Sequence, residues 1–231
     1  MRHEPLAKPT SGQLAALYRL TSELFLSPEH RRREEIDRQL ASLKSAPAAM
    51  ADPVREFLAS PRSNDADEYV MVLELTPPCP LYLGDYMFDE PSSCRGAGFS
   101  GRNGYMIELA GAYRHFGFEI GGGELADYIP AMVEFLAISL DYRDRDQIGL
   151  RRRFVERYVR PGLTPMREKL GKYDSPYQLL VGALEAAVTE DIALHADAPV
   201  WVEPTRIGKP PTPPIITFGG KQGRLPAGEP T

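Results

Sequence analysis

The stretch "YVMVLELTPPCPLYLGDY", Tyr69 to Tyr86, decides how this chain is read. It opens as an apolar helical face, breaks on Pro77 and Pro78, and resumes with Cys79, Pro80 and the aromatic run Leu81 to Tyr86. Proline cannot donate to a helix ladder and restricts the residue before it, so a helix that begins after Asn64-Asp65 ends near Leu75. A long irregular connection to about Asn103 follows, and loops of that length in a compact domain often carry function. The run poses two alternatives. It is an active-site loop built on Cys79, or a stiffened surface that holds something extended and apolar.

Outward from this stretch the apolar spacing is helical. Leu14, Leu17, Tyr18, Thr21, Leu24 and Phe25 share one face, with Ser11 available as N-cap. The next helix, "EHRRREEIDRQLASLK", has only Ile36, Leu40 and Leu43 as an apolar stripe, and Arg31 to Arg33 with Glu34 and Glu35 read as a solvated face. A short helix covers "DPVREFLAS" and ends at Pro61. Beyond the loop, Met106, Leu109, Tyr113 and Phe116 mark one helix, and Gly121 to Gly123 form a break. Ile129, Met132, Leu136 and Leu140 mark the next, then "QIGLRRRFVERYV", closed by Pro161. Tyr177, Leu180, Leu184, Val188 and Ile192 give a last long helix, capped by Asp174 or Ser175 ahead of Pro176. No stretch alternates like a strand. The expected fold is all-α: a single-domain bundle of seven to nine helices over 11–197, after a short flexible N-terminus at 1–10. The last part, 198–231, is dense in proline and glycine and reads as an extended or disordered tail, with Trp201 and Ile215 to Phe218 suited to tack it to the bundle.

The 231 residues carry a net charge of −5, which argues against nucleic acid as the main partner and is compatible with a basic one. The first residues lack an apolar core of signal-peptide length, and no run approaches the roughly 20 apolar residues that span a bilayer. A cytoplasmic location is expected. Cys79 and Cys94 form no C-x-x-C pair and the four histidines are scattered, so neither a metal nor a cofactor is expected. Gly96 to Gly101 is a literal G-x-G-x-x-G, but the preceding "FDEPSSCR" is not the strand that a nucleotide-binding turn requires. Nothing places a base beside Cys79, so a buried structural thiol is expected there. Arg151, Arg152, Arg153, Arg157 and Arg160 form a basic stripe that reads as a solvated face pairing with Glu156. A nucleotide-binding enzyme using Gly96–Gly101 and a helical DNA-binding regulator remain the alternatives.

The acidic residues are more informative. Glu68, Glu74, Asp85, Asp89, Glu90, Asp127 and Glu134 lie among Tyr69, Leu81, Tyr82, Tyr86 and Phe88. Such a surface suits an apolar peptide carrying arginines, with apolar burial supplying affinity and carboxylates pairing with guanidinium groups. The other reading makes these aromatics ordinary core.

At this point the residues resemble a known family. "EYVMVLELTPPCPLYLGDY", followed by "ELADYIPAMVEFLA", is similar to the redox-enzyme maturation chaperones of the NarJ/TorD/DmsD type. The resemblance covers roughly residues 11 to 195. Tyr69, Leu73, Pro78 and Tyr86 fill the first motif, and Asp127, Pro130, Glu134 and Phe135 the second. Tyr128 stands where histidine is usual and Ala126 where proline is common, so no histidine-dependent role carries over. The "PPCPLYLGDYMFDEP" wording looks most like chaperones of the type II dimethyl sulfoxide reductase group, whose clients include nitrate, selenate, chlorate and perchlorate reductases and ethylbenzene and dimethyl sulfide dehydrogenases. The resemblance implies a cytoplasmic chaperone, not an enzyme, either monomeric or a helix-swapped dimer. It would bind the apo catalytic subunit of a molybdenum oxidoreductase, often through a twin-arginine leader, and assist cofactor insertion before export. Its client contacts would be Glu68, Tyr69, Leu73, Pro78, Leu81, Tyr82, Tyr86, Asp127, Tyr128, Pro130, Glu134 and Phe135. Tyr69, Tyr82, Tyr86 and Phe135 would give apolar contact, and Glu68, Asp127 and Glu134 the charge.

Overall fold

The computed structural model describes residues 8–75, 77–89, 101–142, 144–201 and 215–216. Helix α1 (Ser11–Leu24) is capped by Thr10 rather than Ser11: the Thr10 hydroxyl accepts from the Gln13 amide, and the Gln13 side chain accepts from the Thr10 amide. Leu14, Leu17, Tyr18, Leu20 and Leu24 are buried, too many for one stripe, so α1 is an interior helix. It packs against α2 (Arg33–Ser42), α6 (Ile129–Ser139) and α9 (Tyr177–Leu194). Helices α3 (Ala48–Ala59) and α8 (Arg160–Lys172) lie against α9. Helix α4 (Ala66–Tyr69), capped by Asp65, continues as a π-helical turn over Val70–Glu74. Helix α5 (Gly101–His115) leads to β1 (Glu119–Ile120), and α7 (Arg145–Arg153) runs through a π-helical stretch, Phe154–Val159, into α8. Among the described residues the chain is therefore an all-α, single-domain bundle, as its periodicity implies. No helix among them is long and apolar enough to cross a membrane.

Four local expectations are corrected. Pro161 does not close a helix. It sits in the first turn of α8, directly after the π-helical stretch, and Leu163, Met166 and Leu170 continue the buried face. A strand pair exists: β1 pairs in parallel with β2 (Ile215–Ile216), through Glu119 with Ile215 and Ile120 with Ile216. Arg31 is not a solvated charge. It donates to the carbonyls of Leu26 and Ser63 and to the Tyr177 hydroxyl, and its guanidinium lies 5.7 Å from the Phe57 ring centroid. Ser175 does not cap α9, because its hydroxyl donates to Glu68 at 2.9 Å. The Gly96–Gly101 motif falls, up to Ser100, outside the described residues, as do most of the N-terminal ten and most of the tail.

Arg151, read as part of a solvated stripe, is buried instead. Its two Nη atoms donate to Asp191 Oδ1 and Oδ2 at 2.6 Å each, and its Nε donates to Ser139 Oγ at 3.0 Å. The Tyr18 hydroxyl donates to Asp191 Oδ2 at 2.7 Å, and His195 Nδ1 lies 2.9 Å from Oδ1. This buried knot joins α1, α6, α7 and α9. Burial alone would push the Asp191 carboxyl up, but Arg151, His195 and Tyr18 together hold it well below the usual carboxylate range.

A buried ion pair is most costly when half of it is removed. Asp191→Ala strands the Arg151 guanidinium and is expected to cost about 3–5 kcal/mol in urea denaturation. Tyr18→Phe, which deletes one hydrogen bond, is expected to cost about 1–2 kcal/mol. Because the folded carboxyl is depressed, this stabilisation is present above about pH 4 and lost as pH falls further. Asp191→Asn should be correspondingly less acid-sensitive, at lower stability near neutrality.

Candidate functional site

The two stretches that carry the family resemblance meet in space. After the π-helical turn of Val70–Glu74, the Cys79 amide donates to the Val72 carbonyl, which folds the proline segment back under α4. The chain then runs antiparallel to the approach of α6. The Leu83 amide donates to the Asp127 carbonyl and the Ile129 amide to the Leu81 carbonyl, both at 2.9 Å, with Tyr82 and Tyr128 as the bridging pair between them. The two tyrosine rings lie 5.7 Å apart by centroid. The Tyr82 hydroxyl donates to Glu124 at 2.9 Å, and burial with that carboxylate pushes the phenol up to about 12. The Tyr113 hydroxyl, from α5, holds the Ala126 carbonyl.

Asp127 is the hinge pin of this junction. It is 0% exposed, and its Oδ2 accepts from the Gly84 amide and from Arg102 Nη2, both at 3.1 Å. Arg102 also pairs with Asp85. Oδ1 has no hydrogen-bond partner among the described residues. Burial raises the Asp127 carboxyl above its ordinary value against the pull of Arg102 and the Gly84 amide. Two glycines make the packing possible. A Cβ on Gly84 would lie 2.6 Å from Asp127 Oδ2, and one on Gly162 would lie 2.6 Å from Leu83 Cγ, so α8 can seat Leu83 only against a bare backbone.

The structure places the expected contact residues in different settings. Tyr69, Leu73, Leu81, Pro130 and Phe135 are buried, which corrects the expectation that Tyr69 and Phe135 offer surface. Tyr69 donates to the Phe25 carbonyl, and the Phe135 ring is enclosed by Tyr113, Phe116 and Phe154 at 5.0, 5.0 and 4.6 Å. Helices on both sides of α4 and α6 close over them. Two of the three expected anchoring carboxylates are already engaged. Glu68 accepts from Arg62 and Ser175, and Asp127 is sealed as described. Tyr86 and Pro78 are half-buried, and the Tyr86 hydroxyl donates to the Pro80 carbonyl at 2.8 Å. Cys79 is fully buried, and desolvation raises its thiol, as expected of a structural cysteine.

Besides Tyr86 and Pro78, the half-buried Tyr82–Tyr128 pair and Glu134 remain accessible. Around the pair stand Glu124 and Glu74, each close enough to act on the Tyr128 phenol, and next to them in the chain the exposed Leu125 and Leu75, 47% and 72% accessible. Met71, 71% accessible, lies one turn before Leu75. Sequence reading missed Leu75, Leu125 and Glu124. A signal existed for Leu75, since it follows the last residue of its helix and precedes the prolines.

One turn into α6, Glu134 lines a cavity of about 190 Å³ between α1, α2 and α6, with Arg19, Ser22, Glu23, Leu26 and Arg32. Glu23 there is taken by Arg32, whose Nη2 lies 2.6 Å away. Glu134 makes no hydrogen bond among the described residues. Burial raises its carboxyl, with Glu23 and Glu35 adding to the effect and Arg32 and Arg19 opposing it. A half-buried carboxylate without a donor, at the wall of a cavity, is a place to receive a cationic group.

The arginine stripe offers less than its sequence implies. Arg151 is buried, Arg152 pairs with Glu156, and Arg153 and Arg157 share Glu108, which also accepts from the Tyr158 hydroxyl. A scan of protein-family models finds no match to the chain, and a search of curated proteins finds none either.

Two outcomes are expected. Gly84→Ala should destabilise the fold by about 1–3 kcal/mol, read from urea midpoints, because the buried Asp127 carboxylate cannot give way. Glu134→Gln should raise the neutral-pH melting temperature by roughly 1–3 °C. The sign follows from the raised carboxyl: Glu134's own contribution to stability is fully present below the unfolded value and is lost as pH rises through the folded value, while glutamine has no such loss. The difference should vanish below about pH 4.

Proposed function

We propose that this chain is an assembly chaperone of the NarJ/TorD/DmsD type, which grips a segment of an unfinished molybdenum oxidoreductase subunit in the cytoplasm. The observation that carries the reading is the junction between the proline segment and the head of α6. The two separate motifs of the resemblance exchange backbone hydrogen bonds there and bring Tyr82 beside Tyr128.

The geometry suits polypeptide capture. The half-buried tyrosine pair, with Leu75 and Leu125 beside it, offers apolar area. Glu74 and Glu124 offer negative charge at its rim, and Glu134, six residues beyond Tyr128, offers a third carboxylate at a cavity. Prolines 77, 78 and 80 hold the segment before it in shape, so less chain entropy is lost when a ligand binds. A leader peptide that carries two arginines ahead of an apolar stretch has the complementary pattern. Apolar burial would supply most of the affinity, and the carboxylates would set register and specificity.

Isothermal calorimetry with a synthetic twin-arginine leader from a molybdoenzyme catalytic subunit tests this. Tyr82→Ala and Glu134→Gln are each expected to weaken binding about tenfold, which is about 1.4 kcal/mol. Tyr69→Phe, a buried change, should leave the affinity unaltered. If both surface variants bind as wild type, the surface is wrongly assigned. If neither the leader nor the apo subunit binds the wild-type chain, the chaperone reading itself is lost.

A further inference from the structure

The C-terminal segment is fastened to the body at two places on one side of the bundle. At the first, Arg152 Nη1 donates to the carbonyls of Ala196 and Ala198 at 2.7 and 3.2 Å. Gly149 lets the Pro199 carbonyl approach so closely that a Cβ would stand 2.6 Å from it. The Trp201 ring meets His115, at the end of α5, edge-on at 4.6 Å. At the second, Ile215 and Ile216 pair with Glu119 and Ile120, just beyond that same end of α5.

A two-residue strand paired from outside the bundle is an unusual use of backbone in an all-helical fold. Among the described residues β2 is the strand paired with β1, and a strand edge accepts any extended chain of suitable side chains. The residues that fill it are β-branched, the type that favours extended pairing. So short a ladder is held chiefly because its partner is tethered to the same molecule, at an effective concentration on the order of millimolar. A free peptide must overcome that advantage, and a peptide already held nearby does not. β1 is separated only by Gly121 to Gly123 from Glu124, the partner of Tyr82. Gly122 and Gly123 have φ of 77° and 81°.

We infer that the β1 edge is a strand-addition site for an extended, β-branched apolar segment of a partner polypeptide, and that Ile215–Ile216 of this chain occupy it until that segment takes their place. This rests on the reading of the chain as a polypeptide binder, and it adds a second, backbone-reading site with its own resident competitor.

The test uses the full-length chain and a labelled peptide of residues 211–220, PTPPIITFGG. The probe is titrated into wild type and into the Ile215→Pro/Ile216→Pro double variant, whose prolines cannot donate to a ladder. Fluorescence anisotropy gives affinity, and backbone hydrogen exchange at Glu119 and Ile120 locates the binding. The variant should bind the peptide at least tenfold more tightly than wild type. Exchange at Ile120 should be faster in the variant and slowed again by the peptide. Far-UV circular dichroism should be unchanged, since the buried core lies between Leu14 and Val188. Equal affinity for the two chains, or exchange at Ile120 that neither the substitutions nor the peptide alters, overturns the inference. Failure of the leader titration with the tail-peptide result intact removes the chaperone reading alone. The reverse result removes only this inference.

Discussion

Two backbone hydrogen bonds, Leu83 to Asp127 and Ile129 to Leu81, hold together the two segments that form the Tyr82–Tyr128 junction. They join a proline-stiffened connection to the first turn of α6, and they do so where both segments would otherwise leave amide and carbonyl groups unsatisfied. The Asp127 carboxylate then adds the Gly84 amide and Arg102 to the same knot. With the backbone pinned here, Leu81 and Leu83 must point into the core, and Tyr82, the residue between them, must point out. The alternation of an extended segment thus puts one aromatic at the surface beside Tyr128.

Much of this was legible in the chain itself, and the illegible parts have definite physical causes. Helical spacing located α1, α5, α6 and α9, because each buries one or more faces at a regular period. It lost α8, whose Pro161, Gly162 and Pro165 look like breakers; Pro161 lies in the first turn, and Gly162 makes room for Leu83. The site was half legible. The motifs named two segments that meet in space, but side-chain type does not reveal which face of a helix is covered. Tyr69 and Phe135 are therefore core, whereas Leu75 and Leu125, which drew no notice, are open. Arg151 was hidden by its neighbours. Five arginines in ten residues look like a wetted surface, and the partner that makes one of them interior, Asp191, stands 40 residues away.

The carboxylates form a graded series. Asp191 is fully compensated by Arg151 and Tyr18, and it stiffens the bundle. Asp127 is partly compensated, with one oxygen lacking a donor, and it shapes the loop. Glu134 has distant cations but no hydrogen-bond donor. Compensation by hydrogen-bond donors thus falls along the series from Asp191 to Glu134. The two π-helical stretches fit the same economy. A carbonyl in each is taken up by a neighbour: Val72 accepts from the Cys79 amide and Tyr158 from the Tyr105 hydroxyl.

Trp201 is the chain's single tryptophan, and it rests against a histidine whose imidazole burial keeps neutral to lower pH than usual. Emission excited selectively in tryptophan, beyond the absorption of the 11 tyrosines, therefore originates where the C-terminal segment is fastened to the bundle. Nature has labelled that attachment without a dye: release of the segment would move the indole into water and shift its colour to the red, while the helices behind it stayed spectroscopically silent.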